Sequence, residues 1–153
     1  MHGVPRVMFP PFPLEIAHDG DYVIILAETE HGVRIIPTDG RPHLQNYSSW
    51  NGDSRGHWEG DTLVVDVRGL NGKGWLDQAG NFVGEGARVT ERFRLTDKDT
   101  LEYQATVENP KVFSRPFTVR VPLRRRPADT ELLEYGCIEG ERDAEHLGAA
   151  EKK

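Results

Sequence analysis

The sequence predicts an all-β protein made of antiparallel strands, and three observations support this prediction. Short segments in which apolar and polar residues alternate recur along most of the chain, which is the pattern of half-buried strands. Turn-forming pairs such as Asp19-Gly20 and Gly60-Asp61 separate several of these segments. No amphipathic helix long enough to link parallel strands lies between them, which favours hairpin connections.

The strands are predicted to follow an extended, proline-rich N-terminal arm at residues 1–13, which covers an edge or closes an end of the body. The alternating segments are residues 14–18, 22–28, 33–37, 57–58, 62–68, 88–95, 101–107, 117–123 and 132–137. A charged tail follows at residues 139–153. A meander of about eight or nine strands removes its edges most simply by closing, so we expect an up-and-down, lipocalin-like β-barrel, with a two-sheet β-sandwich as the alternative.

Length and charge narrow the possible functions. At 153 residues the chain is expected to form one domain, residues 1–153. The formal net charge is −6 and the basic residues are scattered, apart from the run 124–126, which argues against nucleic-acid binding. No apolar run approaches the ~20 residues that cross a bilayer, so no membrane insertion is predicted. Residues 1–7 lack the apolar core of a signal peptide, as expected for a mature or truncated chain.

Cysteine and histidine give little sign of metal or disulfide chemistry. Cys137 is the single cysteine, which excludes an internal disulfide and favours a small buried residue at a strand end. The six histidines show no His-x-His or His-Glu-x-x-His spacing. We therefore predict no metal and no cofactor, because a metal site would have to be assembled across loops from His18, His31, His43 and His57.

Glu91 breaks the alternation of its strand. It falls on the same face as Val89 and Phe93, so a regular strand directs its carboxylate into the core. Burying that carboxylate unpaired would cost several kcal/mol, so it must be protonated, paired or beside a wet cavity. Tyr103 falls on the inward face of the next strand, and with Arg34 this set predicts proton transfer or the binding of a polar ligand. The alternative is that Glu91 marks a bulge or pairs with an arginine at the rim.

The hairpin at residues 52–66 concentrates ionisable and aromatic side chains. We predict that Asp53, His57 and Trp58 form one wall of a mouth, where the imidazole would respond to nearby carboxylates. The alternatives are that His57 only caps the hairpin through hydrogen bonds and that Trp58 only packs in the core.

Two long loops, at residues 38–51 and 69–86, are expected to fold over the same mouth. They carry His43, Trp50 and Trp75, which we assign to ligand binding together with Trp58 and Arg34. Tryptophan rings offer large flat surfaces to an aromatic or sugar-like ligand. The predicted partner is therefore a small-molecule ligand or substrate.

Several motifs resemble those of a known group of proteins. They are Arg-Ile-Ile-Pro-Thr-Asp-Gly-Arg-Pro-His at 34–43, Gly-x-Trp-Glu-Gly-Asp-Thr-Leu-Val-Val-Asp at 56–66 and Glu-Tyr-x-Cys at 134–137. These motifs resemble an abundant family of small, mostly exported proteins of soil bacteria that are described only as hypothetical. The resemblance implies a periplasmic or secreted location and implies no activity. It also implies a second cysteine just before residues 3–6, which this chain lacks, as a partner for Cys137.

The leading hypothesis is an enzyme that processes a small molecule by acid–base chemistry of the lyase, isomerase or hydrolase type in the barrel cavity. Glu91 would be the acid or base, and Tyr103 and Arg34 would hold or polarise the substrate. His57 with Asp53 would act at the mouth. The alternative is a non-catalytic barrel that binds a hydrophobic, aromatic or sugar-like ligand and needs no proton-transfer group. A third possibility is a barrel filled by its own side chains that acts through its surface.

Overall fold

A computed structural model describes residues 2–77 and 79–133 of the chain. These residues form eight β-strands and two short 3-10 helices, Arg6–Met8 and Thr29–His31. The strands are β1 (Leu14–Asp19), β2 (Tyr22–Ala27), β3 (Gly32–Pro37), β4 (Asp53–Glu59), β5 (Thr62–Arg68), β6 (Arg88–Asp97), β7 (Thr100–Glu108) and β8 (Phe117–Arg124). The predictions of a strand at 132–137 and of a tail at 139–153 extend outside the described residues, as does Cys137.

The strands form two antiparallel sheets. One has three strands in the order β1-β2-β3, and the other has five in the order β4-β5-β6-β7-β8. The predicted all-β, antiparallel architecture is confirmed. The closed barrel is wrong, and the two-sheet alternative fits, because within the described residues β3 pairs only with β2 and β4 pairs only with β5.

A glycine in β4 allows the two sheets to approach each other closely. A Cβ atom built on Gly56 would lie 3.0 Å from Cγ2 of Thr38 and 3.1 Å from Cγ2 of Ile36. The side chains at the end of β3 therefore occupy the space over the backbone of β4. Since glycine has no Cβ atom, it leaves the space that these side chains fill.

The core lies between the two sheets and consists of the inward members of each alternating strand. In β2 the inward residues are buried and their neighbours half-buried, and β6 and β7 show the same period of two. The buried apolar residues of the strands are Val23, Ile25, Ala27, Ile36, Leu63, Val64, Val65, Val67, Val89, Phe93, Tyr103, Ala105 and Val107. The sequence prediction of which faces turn inward is confirmed for β6 and β7.

The N-terminal arm closes one end of the sandwich, as the sequence predicts, but it is not extended throughout. Residues Arg6–Met8 form a turn of 3-10 helix, and Val4, Val7 and Met8 are buried in the core. The turn forms because Val7 N donates to Gly3 O at 3.0 Å and Met8 N donates to Pro5 O at 3.0 Å. We call this end of the sandwich the plugged end. The opposite end, which carries the β1–β2, β4–β5 and β6–β7 turns, is called the open end.

Within the described residues, no helix has the length and apolar character needed to cross a membrane.

Candidate functional site

A buried ion pair joins the two sheets near the middle of the core. Arg34 of β3 donates to both carboxylate oxygens of Glu91 of β6, at 3.0 Å and 2.5 Å. Tyr103 of β7 donates its hydroxyl to Glu91 at 2.7 Å, and Arg34 also donates to Ser54 Oγ at 3.2 Å. We call these four residues the interior cluster. The sequence predicted inward faces for Glu91 and Tyr103 and grouped Arg34 with them without fixing its orientation, and the structure brings the three side chains together.

The interior cluster is buried and almost fully hydrogen-bonded. The side chain of Glu91 is 0% exposed and that of Arg34 is 2% exposed. Burial lowers the pKa of Arg34, but the adjacent Glu91 carboxylate outweighs this effect and leaves the pKa raised. Burial also raises the pKa of Tyr103 well above its usual range, and the charge of Glu91 adds to that shift. Among the described residues only Nε of Arg34 lacks a partner in this cluster.

These contacts decide between the interpretations of Glu91 that the sequence left open. The carboxylate is paired with Arg34. This pair lies deep in the core and not at the rim. The irregularity in β6 lies between Leu95 and Asp97, so Glu91 does not mark a bulge. A carboxylate with three hydrogen bonds and no solvent exposure holds the sheets in register.

The open-end pocket is an apolar cavity of about 150 Å³ between the two sheets. It is lined by Ile16, His18, Val23, Ile25, Trp58, Asp61, Leu63, Phe93, Leu95 and Leu101. Phe93 and Tyr103 form a tilted ring pair with centroids 5.0 Å apart. Phe93 lines the pocket and Tyr103 reaches Glu91, so this ring pair lies between the pocket and the interior cluster.

Polar atoms reach the open-end pocket only at its rim. The rings of His18 and Trp58 contact each other with centroids 5.6 Å apart, and Trp58 is 48% exposed. His18 Nε2 lies 3.2 Å from the carbonyl oxygen of Gly20. Asp61, in the turn between β4 and β5, is the acidic residue of the lining, and its carboxylate is largely exposed and lies 3.8 Å from Arg94 Nε. Of the residues that the sequence assigned to the site, only Trp58 lines this cavity, because the other walls come from strands that are distant in the chain.

A second charged cluster lies on the outer surface of the five-stranded sheet. His43 Nδ1 lies 2.7 Å from Asp53 Oδ2, and His43 Nε2 lies 3.1 Å from Asp66 Oδ2. Arg55 also pairs with Asp53, at 2.6 Å. Burial raises the pKa of Asp66, but hydrogen bonds from two arginines and from His43 outweigh it and leave the pKa lowered. The cluster ties the 38–52 loop to the sheet.

The predicted wall of Asp53, His57 and Trp58 does not form. The side chain of His57 is 60% exposed and contacts Glu59 at 3.2 Å on the outer face, while Trp58 points into the open-end pocket. Asp53 binds His43 instead. Adjacent strand residues point to opposite faces, and this alternation separates His57 from Trp58.

The two long loops meet, but at the plugged end. Trp50 and Trp75 line one open surface cleft of about 460 Å³ together with charged residues of the N-terminal arm and of the 69–86 loop. Trp58 lies at the opposite end, so the predicted single aromatic mouth is wrong. The reason is that the first loop returns along the sandwich to begin β4 at the plugged end.

Within residues 2–77 and 79–133, no three His, Cys, Asp or Glu side chains are arranged so that they could hold a metal ion. His31 lies in the turn before β3 with a positive φ of 49°. His18, His43 and His57 have the separate contacts described above.

Comparison of the chain with models of protein families, with curated proteins and with solved structures gives no match. The resemblance to exported soil-bacterial proteins therefore stays a prediction. The functional proposal depends on the geometry of the open-end pocket and on the chemistry of the residues that line it.

Proposed function

We propose that this protein binds a small apolar ligand in the open-end pocket, as a carrier or sensor. The observation that carries the proposal is the pocket itself, which is apolar, lies between the two sheets and opens to solvent. Pockets of this kind, with apolar walls and a few polar atoms at one side, are typical of small-molecule binding sites.

The size of the pocket limits the ligand. A cavity of about 150 Å³ lined by leucine, isoleucine and phenylalanine is large enough for a benzene ring. The expected ligand is therefore a single aromatic ring or a short branched alkyl chain. Ligands of about nine heavy atoms that gain roughly 0.5–0.7 kcal/mol per atom have dissociation constants between micromolar and millimolar.

The same geometry gives less support to the acid–base enzyme. Glu91 already accepts three hydrogen bonds, and its side chain has no exposed surface on which a substrate could bind. His57 lies on the outer face of its sheet, away from the open-end pocket. A general acid or base must come within hydrogen-bond reach of the substrate, and neither side chain meets this requirement at the pocket.

The test is to fill the pocket and measure binding. Ile16→Trp places an indole in the pocket from β1, where residue 16 is 38% exposed and tolerates a larger side chain. Val33→Trp is the matched control, because Val33 is an exposed β-branched residue of the same sheet outside the pocket. Isothermal titration calorimetry with 2-phenylethanol should show saturable binding to the natural protein and to Val33→Trp.

Ile16→Trp should weaken this binding at least tenfold. Circular dichroism and thermal melting of both variants establish that they are folded. Equal binding by Ile16→Trp and Val33→Trp, or the absence of binding to the natural protein by any single-ring apolar probe, would refute the proposal.

A further inference from the structure

We propose that the free edge of β3, which is the edge that does not pair with β2, binds an extended segment of another protein. The bound segment adds a fourth strand to the three-stranded sheet. It is an uncharged peptide with apolar side chains at alternate positions. This site is separate from the open-end pocket and does not depend on the function proposed for it.

The direction of the β3 backbone groups follows from the pairing of β3 with β2. Thr38 N donates to Asp21 O at 2.7 Å, one position beyond the last pair of the β2–β3 ladder. Hydrogen-bonded pairs alternate with non-hydrogen-bonded pairs along an antiparallel ladder. Every second residue before Thr38, including Arg34, therefore bonds to β2. Val33 and Ile35 point their N–H and C=O groups away from β2, toward the free edge.

The backbone groups at this edge are unpaired. The N–H and C=O groups of Val33 and Ile35 form no hydrogen bond with any other residue in the described part of the chain. The side chains of Val33 and Ile35 are 55% and 57% exposed. An extended backbone beside β3 supplies both donors and acceptors at the spacing of these groups, as in β-strand addition. The edge therefore favours a peptide over a small molecule.

The edge of β8 shows how an edge strand is protected from such pairing. Arg125 N donates to Asp99 O at 2.8 Å, one position beyond the β7–β8 ladder, and the same alternation turns Pro122 to the free edge of β8. The two arginines of β8 share that edge. Proline lacks an N–H group and charged side chains oppose pairing. The free positions of β3 instead carry β-branched apolar side chains, which favour strand formation.

A groove of about 460 Å³ lies beside the free edge of β3 and receives the inward side chain of the peptide. Its apolar lining includes Leu44, Tyr47 and Trp50 of the 38–52 loop. Opposite residues in neighbouring strands point to the same face of a sheet. Because Arg34 points inward to Glu91, the peptide residue opposite Arg34 also points inward, into the groove.

The charged side chains that line the groove are already paired. Arg34 binds Glu91, and Asp53 binds Arg55 and His43. A charged peptide side chain would find no free partner of opposite charge there and would lose its hydration on entering the groove. The preferred central residue of the peptide is therefore apolar, such as leucine.

The probe is the blocked peptide acetyl-Thr-Val-Leu-Val-Thr-amide, with its valines opposite Ile35 and Val33 and its leucine opposite Arg34. Two-dimensional NMR of the full chain should show saturable shifts at the amides of Val33 and Ile35. In this register the N–H groups of the valines face β3 and that of the leucine faces away. N-methylation of both valines should weaken binding by at least about tenfold, and N-methylation of the leucine should change it by less than about threefold.

A pair of variants tests the same hydrogen bonds from the side of the protein. Ile35→Pro removes an N–H group that faces away from β2, a position where an edge strand tolerates proline. Ile35→Ala is the matched control, because it removes the same side chain and keeps the N–H group. Ile35→Pro should bind the peptide at least about tenfold more weakly than Ile35→Ala. Circular dichroism and thermal melting establish that both variants are folded.

Equal binding of the two methylated peptides, equal binding by the two folded variants, or no saturable binding of the parent peptide would overturn the inference. If Ile35→Pro does not fold, the methylated peptides decide, because they leave the protein unchanged. A dimer in sedimentation velocity that Ile35→Pro dissociates, together with no binding of the peptide, would overturn the inference and assign the edge to a second copy of this chain.

Discussion

The interior cluster and the open-end pocket lie side by side between the same two sheets, yet they have opposite chemistry. On β6, Glu91 belongs to the cluster and Phe93, two residues later on the same face, lines the pocket. The Glu91 carboxylate of the cluster is polar and has no exposed surface, whereas the pocket is apolar and encloses about 150 Å³. A buried polar group whose hydrogen bonds are satisfied fixes the arrangement of the sheets. An unfilled apolar cavity favours binding, because an apolar ligand gains free energy when it leaves water. The comparison teaches that the conspicuous charge in this core supports the fold, and that the space proposed to bind a ligand lies next to it.

The largest expected effect comes from removing the charge of Glu91. Glu91→Gln leaves the guanidinium of Arg34 buried without a counter-charge, which should lower the free energy of unfolding by about 3–5 kcal/mol. Urea denaturation followed by circular dichroism measures this loss. The Arg34→Met/Glu91→Met double variant should recover part of the stability, because a buried pair can be replaced by apolar side chains at smaller cost. A loss below about 1 kcal/mol in Glu91→Gln would show that the cluster does not hold the sheets together.

The contact between the sheets at Gly56 should also be sensitive to size. Gly56→Ala places a methyl group about 3 Å from the side chains of Thr38 and Ile36, tighter than an ordinary contact. We expect a loss of about 1–3 kcal/mol from this overpacking. Thr38→Ala in the same chain should restore part of the loss by removing one of the clashing methyl groups. If Gly56→Ala is as stable as the natural protein, the two sheets are not in close contact at this point.

Because of Tyr103, the free energy of unfolding is expected to fall as the pH rises into the alkaline range. Its raised pKa means that the folded protein keeps the phenolic proton after an unfolded chain has lost it. The contribution of Tyr103 to stability is therefore complete below the unfolded value of about 10 and falls as the pH rises above it, by about 1.4 kcal/mol per pH unit. Tyr103→Phe should cost about 1–2 kcal/mol at neutral pH through the lost hydrogen bond. It should also lose less further stability between about pH 10 and 11 than the natural protein. Parallel pH profiles of unfolding in urea would contradict this assignment.

The smallest effect is expected at His57, which the sequence marked as catalytic. Its side chain is mostly exposed on the outer face of the sheet. His57→Ala should change stability by less than about 0.5 kcal/mol, as other surface substitutions do, and should not change the affinity for 2-phenylethanol. Thermal melting and calorimetry measure the two quantities. A tenfold loss of binding in His57→Ala would instead connect the outer face to the pocket.

The sequence predicted the features that depend on the alternation of side chains along one strand. It did not predict the features that depend on contacts between segments distant in the chain. Alternation placed Glu91 and Tyr103 on inward faces, because the side-chain period of a strand is fixed at two. Alternation does not say where a sheet ends, so the sequence favoured a closed barrel over two sheets. It overlooked the partnership of His43 with Asp66, which depends on the path of the 38–52 loop. The start of β4 was missed because Asp53 and Ser54 are polar, although both are buried against other residues.

The central claim, that the ligand site is the open-end pocket, is tested most directly by mapping where a probe binds. Two-dimensional NMR of the assigned protein during titration with 2-phenylethanol reports this for every residue. The account predicts saturable shifts at Ile16, Phe93 and Leu101, which line the pocket. Shifts confined to the plugged end, around Trp50 and Trp75, or no saturable shifts at the open end, would contradict it.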